Sequence, residues 1–181
     1  MITDNDIRNA IQQVEKASLE NDEIHFSKTR DIFQARLDNL TTETEKYLEI
    51  AVIGELGSNT FDHNFIYSND YIRGAYLNYN PKTTVIADFG QGIKSSLKTL
   101  YSVDNDLDAL KLAFKEHVSS RNKEDRGNGL KFVSESVQEN GWELFFQSGI
   151  GCCSIDKNGM KFYNSDISII GCLIIINFSE G

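Results

Sequence analysis

The hydrophobic periodicity changes partway along the chain, and that change limits the fold more than any other feature. Ile7, Ile11 and Val14 have helical spacing, and after a polar break at Asn21 to Glu23 a second apolar series, Ile32, Phe33, Leu37 and Leu40, predicts another helix. Thr42 with Glu45 three positions later reads as a capping box. It opens a third, longer helix whose faces carry Tyr47, Leu48, Ala51, Val52, Leu56, Asn59 and His63 and which ends near Asn64 to Asn69. From Ile72 to Tyr79 the period becomes two, Asn80-Pro81-Lys82 supplies a turn, and the β-branched run Thr83 to Ala87 stops at a glycine-rich corner. A polar stretch from Lys94 to Arg126 follows, with a helix expected from Leu107 to Lys115. A helix from Asn128 to Glu139 then halts at Asn140-Gly141. Strands are expected at Trp142 to Gln147, Gly159 to Tyr163 and Cys172 to Phe178, and the Ile174-Ile175-Ile176 run predicts a strand buried on both faces. Three helices, two strands, a long loop, a helix and three strands describe an α+β sandwich. Its sheet is mixed, mostly antiparallel, and covered by helices on one face.

A single proline, Pro81, and the lack of any repeat or low-complexity tract leave no linker, so 181 residues read as one domain with a helical lead-in. The expected division is 1–40 for the lead-in and 41–181 for the main domain. With 40% apolar and 25% charged residues the composition is globular and needs neither disulfides nor a structural metal to fold. Cys152, Cys153 and Cys172 match neither a disulfide framework nor zinc spacing, and they read as reduced, buried residues. The net charge of −9 disfavours nucleic acid as a partner. The longest apolar stretch, Ile167 to Phe178, is broken by Ser168, Gly171 and Asn177 and is shorter than the roughly 20 residues of a membrane span. A cytoplasmic location without membrane contact is the expectation.

Three short segments carry the chemistry: Glu55-Leu-Gly-Ser-Asn59-Thr-Phe-Asp62-His63 on the long helix, Asp88-Phe-Gly90-Gln-Gly92-Ile93 after a strand, and Gly127-Asn128-Gly129-Leu130 at a helix start. Glu55 and Asn59 are four apart and project from one helix face, where a carboxylate can activate a nucleophile and an amide can hold a hard cation. Asp88 ends a buried strand, and the glycines after it leave room for a flat ring to approach the carboxylate. Gly127 and Gly129 expose backbone N–H groups at the positive end of a helix dipole, an arrangement suited to phosphates. Taken together they describe an adenine pocket, a metal and a phosphate cradle.

In this order the segments resemble the N, G1 and G2 boxes of the GHKL superfamily, the ATP-binding fold of gyrase, heat-shock chaperone ATPases, histidine kinases and mismatch-repair ATPases. The resemblance runs from about Thr42 to the C-terminus. It implies ATP and Mg²⁺ as ligands, with Glu55 as general base, Asn59 as magnesium ligand and Asp88 as reader of the adenine amino group. It also implies a nucleotide-facing Asp62, a pocket shaped by Gly90, Gly92 and Ile93, and a lid over about 93–126 that closes through Arg126, Gly127, Asn128, Gly129 and Leu130. Arg121, Lys123, Arg126 and Lys131 make the lid region locally basic, although they read equally well as solvated surface. Gly171 resembles the glycine before the family's closing strand.

Histidine kinases usually carry lysine where Asp62 stands. Asp62 is similar to the residue in gyrase and the chaperones, and His63 to that in the anti-sigma serine kinases, so the box leaves the subfamily open. A fold without an attached transducer domain is the expectation, and His25-Phe-Ser-Lys-Thr-Arg30 lacks the neighbours of a phosphoacceptor box. The implied activity is therefore a stand-alone Mg-ATP-binding module that transfers phosphate to, or signals nucleotide state to, a separate protein partner. The alternatives are an ATPase switch and a non-catalytic ATP sensor, and homodimer formation stays open. Asp88-Phe89-Gly90 also spells the protein-kinase magnesium triplet, but no His-Arg-Asp loop accompanies it. His25 and His117 read as surface residues, His63 as a pocket-edge group, and Phe65, Tyr67 and Tyr71 as packing residues.

Overall fold

The structure is a computed structural model in which residues 1–63, 74–115 and 128–178 are described. Helix α1 spans Asp4–Leu19, β1 Phe26–Ser27, α2 Arg30–Thr44, α3 Tyr47–His63, β2 Ala75–Asn78 and β3 Thr84–Asp88. Then come α4 at Gly92–Leu97, α5 at Asp106–Lys115, α6 at Asn128–Glu139, β4 at Glu143–Asp156 and β5 at Gly159–Asn177. The described strands form one sheet in the order β1-β2-β3-β5-β4, every neighbouring pair antiparallel. The α+β architecture expected from the sequence is the one observed.

Alternation along the strands divides the core cleanly. Ala75, Leu77, Ile86, Ile174, Ile176, Leu144 and Phe146 point to the face packed by Phe33 and Leu37 of α2, Ile53 and Leu56 of α3, and Val133 and Val137 of α6. Tyr76, Val85, Ala87, Phe145, Leu173 and Ile175 point to the other face, where Ala10, Val14 and Ala17 of α1 cover them. The segment 1–40 is therefore woven into the sandwich: α1 forms a partial second helical layer and β1 pairs with β2 through Phe26↔Tyr76. This second cover explains why Ile174, Ile175 and Ile176 are all buried, as their unbroken apolar run predicts.

Two sequence expectations are corrected. Thr42 and Glu45 do not open a helix, because α2 continues to Thr44 and Glu45 closes it in the left-handed region at φ 56°. The hydroxyls of Thr41, Thr42 and Thr44 donate to the carbonyls of Leu37, Asp38 and Leu40 one turn back, which satisfies them inside the helix. A true capping box lies at Thr3, whose hydroxyl accepts from Asp6 N–H while the Asp6 carboxylate accepts from Thr3 N–H at 2.8 Å. The second correction concerns the last three strands, which are two: β4 and β5 form one long hairpin turned at Lys157-Asn158. The polar stretch Asn164 to Ser168 resembles a loop because its side chains face outward. Its backbone nonetheless lies within β5, and Gln147 Nε2 donates to Ile167 C=O at 2.7 Å.

Small residues set the distance between α2 and α3. A side chain at Gly57 would collide with the Phe33 ring, and Leu37 Cδ1 stands 3.3 Å from where a Cβ on Gly54 would be. This close packing holds the polar stripe of α3 in place, and Glu55 and Asn59 lie on that stripe.

Candidate nucleotide site

Asp88 is the anchor of the site. It is the last residue of β3 and is nearly fully buried, yet each carboxylate oxygen has a partner: Oδ1 accepts Gly90 N–H at 2.8 Å and Oδ2 accepts the Thr60 hydroxyl at 3.1 Å. Burial pushes its carboxyl up from 3.8 to about 6, against the lowering effect of the bonds from Gly90, Thr60 and the Cys172 backbone. The Cys172 thiol, on the strand paired with Asp88, is itself raised by burial and by that carboxylate.

Around Asp88 the backbone needs glycine. Gly171 has φ +76°, and a Cβ there would stand 2.0 Å from the Asp88 carbonyl oxygen. Its partner strand, β4, slips register between Ser148 and Gly149 and again before Gly151, so the hairpin bulges beside the site. Gly92, at φ +75°, leaves Ser148 Oγ just 2.8 Å from its missing Cβ. Ser148 bridges the two segments: its hydroxyl accepts Ile93 N–H at 3.0 Å and donates to Gly171 C=O at 3.2 Å. The Gly90–Gly92–Ile93 corner is thereby fastened to the end of the sheet.

The other two segments converge on the same region. Glu55 is exposed on α3, and its Oε2 lies 2.6 Å from where a Cβ on Gly129 would stand, so the carboxylate tip rests against the backbone at the start of α6. Asn59 is half-buried one turn further along α3, next to Thr60, and Leu130 packs between two parts of the core. Asp62 faces α2 and forms an ion pair with Arg30, whose guanidinium also lies 5.9 Å from the Phe61 ring centre. Lys131 pairs with Glu135 on its own helix at 3.9 Å. Arg121, Lys123, Arg126 and Gly127 lie outside the described residues, as do His117, Phe65, Tyr67, Tyr71 and the side chains of His63 and Asn128. Nucleotide lid contacts expected of them are therefore not part of the geometry above.

Sequence reasoning passed over Thr60, Ser148 and Arg30. Thr60 directly follows Asn59, and Ser148 opens the Ser148-Gly149-Ile150-Gly151 run, a small-residue interruption of a strand that signals a bulge or close backbone approach. Arg30 offered no signal, because its partner is 32 positions away.

No family model matches the sequence, and no curated protein matches it. Among solved structures the chain is similar to the 43K ATPase domain of Thermus thermophilus gyrase B in complex with an aminocoumarin, at 12% identity and a TM-score of 0.43. The match covers 78% of this chain and 38% of that one, so the chain spans well under half of the gyrase fragment's length. Among the described residues no helix is long and apolar enough to cross a membrane.

Proposed function

We propose that the chain is a GHKL-type, histidine-kinase-like ATP-binding module that passes the γ-phosphate, or the information of its nucleotide state, to a separate protein partner. One observation carries this reading: three segments far apart in sequence meet in one place. Glu55 of α3 abuts Gly129 of α6, and the next turn of α3 holds Asp88 of β3 through Thr60.

In this reading the ionised Asp88 accepts a hydrogen bond from the exocyclic amine of adenine, in the space that Gly90 and Gly92 leave open. The start of α6 directs backbone N–H groups and the positive end of its dipole at the phosphates. A magnesium ion, which would be held by the Asn59 amide oxygen and the phosphates, supplies charge neutralisation when bound. Among the described residues no three His, Cys, Asp or Glu side chains group around a metal. Glu55 orients the attacking hydroxyl and takes its proton as the new O–P bond forms and the β–γ bridge breaks.

Replacing Glu55 tests the assignment. Glu55→Ala should bind ATP as the parent does, measured by calorimetry, while turnover falls by about 10²–10⁴-fold. Equal loss of binding and turnover would remove Glu55 from the base role. With γ-labelled ATP, label on a protein acceptor supports transfer, free phosphate supports a hydrolytic switch, and intact bound ATP supports a sensor.

A further inference from the structure

Beside Glu55, α2 and α3 line an open groove of about 540 Å³, to which α6 contributes Phe132. Its floor is the α3 stripe from Tyr47 through Ala51 to Glu55 and Ser58, and its wall is Gln34, Asp38 and Thr41 of α2. Glu55 belongs both to this lining and to the proposed site, so the groove borders the site at that residue. From Tyr47 to Ser58 the floor is about 16 Å long, the span of roughly five extended residues.

The lining also indicates what fits. Among the described residues it contains two carboxylates, Asp38 and Glu55, and no cationic side chain. Gln34 Nε2 donates to Asp38 Oδ1 at 2.9 Å, which holds that carboxylate in place along the wall. A polyphosphate would be repelled here, and a second copy of a chain of net charge −9 would add like charge.

We infer that this groove receives the phosphoacceptor: an extended, Lys- and Arg-bearing segment of another protein, whose serine or threonine hydroxyl is delivered to Glu55 in the groove's lining. This inference rests on the proposed function and specifies the acceptor's chemistry and its route. The hydroxyl oxygen forms a bond to the γ-phosphorus, the bond to the β–γ bridging oxygen breaks, ADP leaves, and Glu55 takes the hydroxyl proton.

The test uses the full chain with two synthetic peptides, each bearing one serine, flanked in one case by Lys and Arg and in the other by Asp and Glu. Peptide binding is read by fluorescence anisotropy without nucleotide, ATP binding by calorimetry, and transfer with γ-labelled ATP. The basic peptide should bind about tenfold or more tighter than the acidic one, lose that advantage at high salt, and alone become labelled. Asp38→Lys and Ala51→Arg, both at exposed positions, should each weaken basic-peptide binding and labelling about tenfold while ATP affinity is unchanged. Equal binding of the two peptides, no binding of either, or groove variants that label as the parent does would overturn the inference. Basic-peptide binding without any ATP binding would retain the groove and overturn the nucleotide reading.

Discussion

At the scale of single residues, Asp88 combines two demands that conflict. In the proposed role it would have to be buried to confront a flat ring, yet ionised to accept that ring's amine, and burial lifts its carboxyl to about 6. ATP affinity should therefore hold near neutral pH and fall as the pH drops below about 6, approaching tenfold per unit as Asp88 protonates. Because Thr60 donates to the ionised form, Thr60→Val should move that midpoint to higher pH and Thr60→Ser should return it, as titrated calorimetrically. Without ligand the same shift bears on stability. The folded-state value lies above the unfolded one, so the contribution of Asp88 is complete below about pH 4 and is lost as the pH rises through about 6. Asp88→Asn should accordingly gain on the parent by up to ~3 kcal/mol between pH 4 and 7 in chemical denaturation, while losing ATP affinity. A flat difference between the two proteins across that range would refute the buried-carboxylate account.

Among the elements, the β4–β5 hairpin does more than close the sheet. Its bulge places Gly171 against Asp88 and turns Ser148 toward the glycine corner. Ser148→Ala would leave Ile93 N–H and Gly171 C=O without that bridge and should cost ~1–3 kcal/mol in urea unfolding. ATP affinity should fall with it, because the corner beside Asp88 loses its tether. The hairpin also shows why strand boundaries were hard to read. Phe145, Leu173 and Ile175 alternate because packed layers flank them, whereas Ser165 to Ser168 fall in the register slip between the pairs Gly151↔Asn164 and Gly149↔Ile169 and carry no apolar period. Likewise the Thr42–Glu45 spacing fits a capping box, yet only the left-handed turn at Glu45 reveals that a helix ends there.

For the whole molecule, the decisive feature is the helix on the far face. α1 covers Tyr76, Val85, Phe145 and Ile175, so the sheet is insulated from both sides although the candidate site opens on one. Val14→Asp should destabilise the protein by ~2–4 kcal/mol in thermal or urea unfolding, by setting a carboxylate against that apolar face. Glu15→Lys, at an exposed neighbouring position, should change stability by less than ~0.5 kcal/mol. In both variants the folded fraction should keep its ATP affinity, since α1 packs opposite α3.

What the sequence determined by itself was local or periodic. The helical spacings, the β-branched strand ending in Asp88, the glycines beside it and the i, i+4 pair Glu55–Asn59 are all short-range patterns, and each is found where its spacing places it. Tertiary structure alone decided the rest: that α1 covers the second face, that Thr60 and Ser148 hold the site together, that Asp62 turns to Arg30, and that Glu55 meets Gly129. The physical reason is range. Periodicity records which face of an element avoids water, but a hydrogen bond or a missing Cβ is specified by partners dozens of residues away, and only the packed chain brings them together.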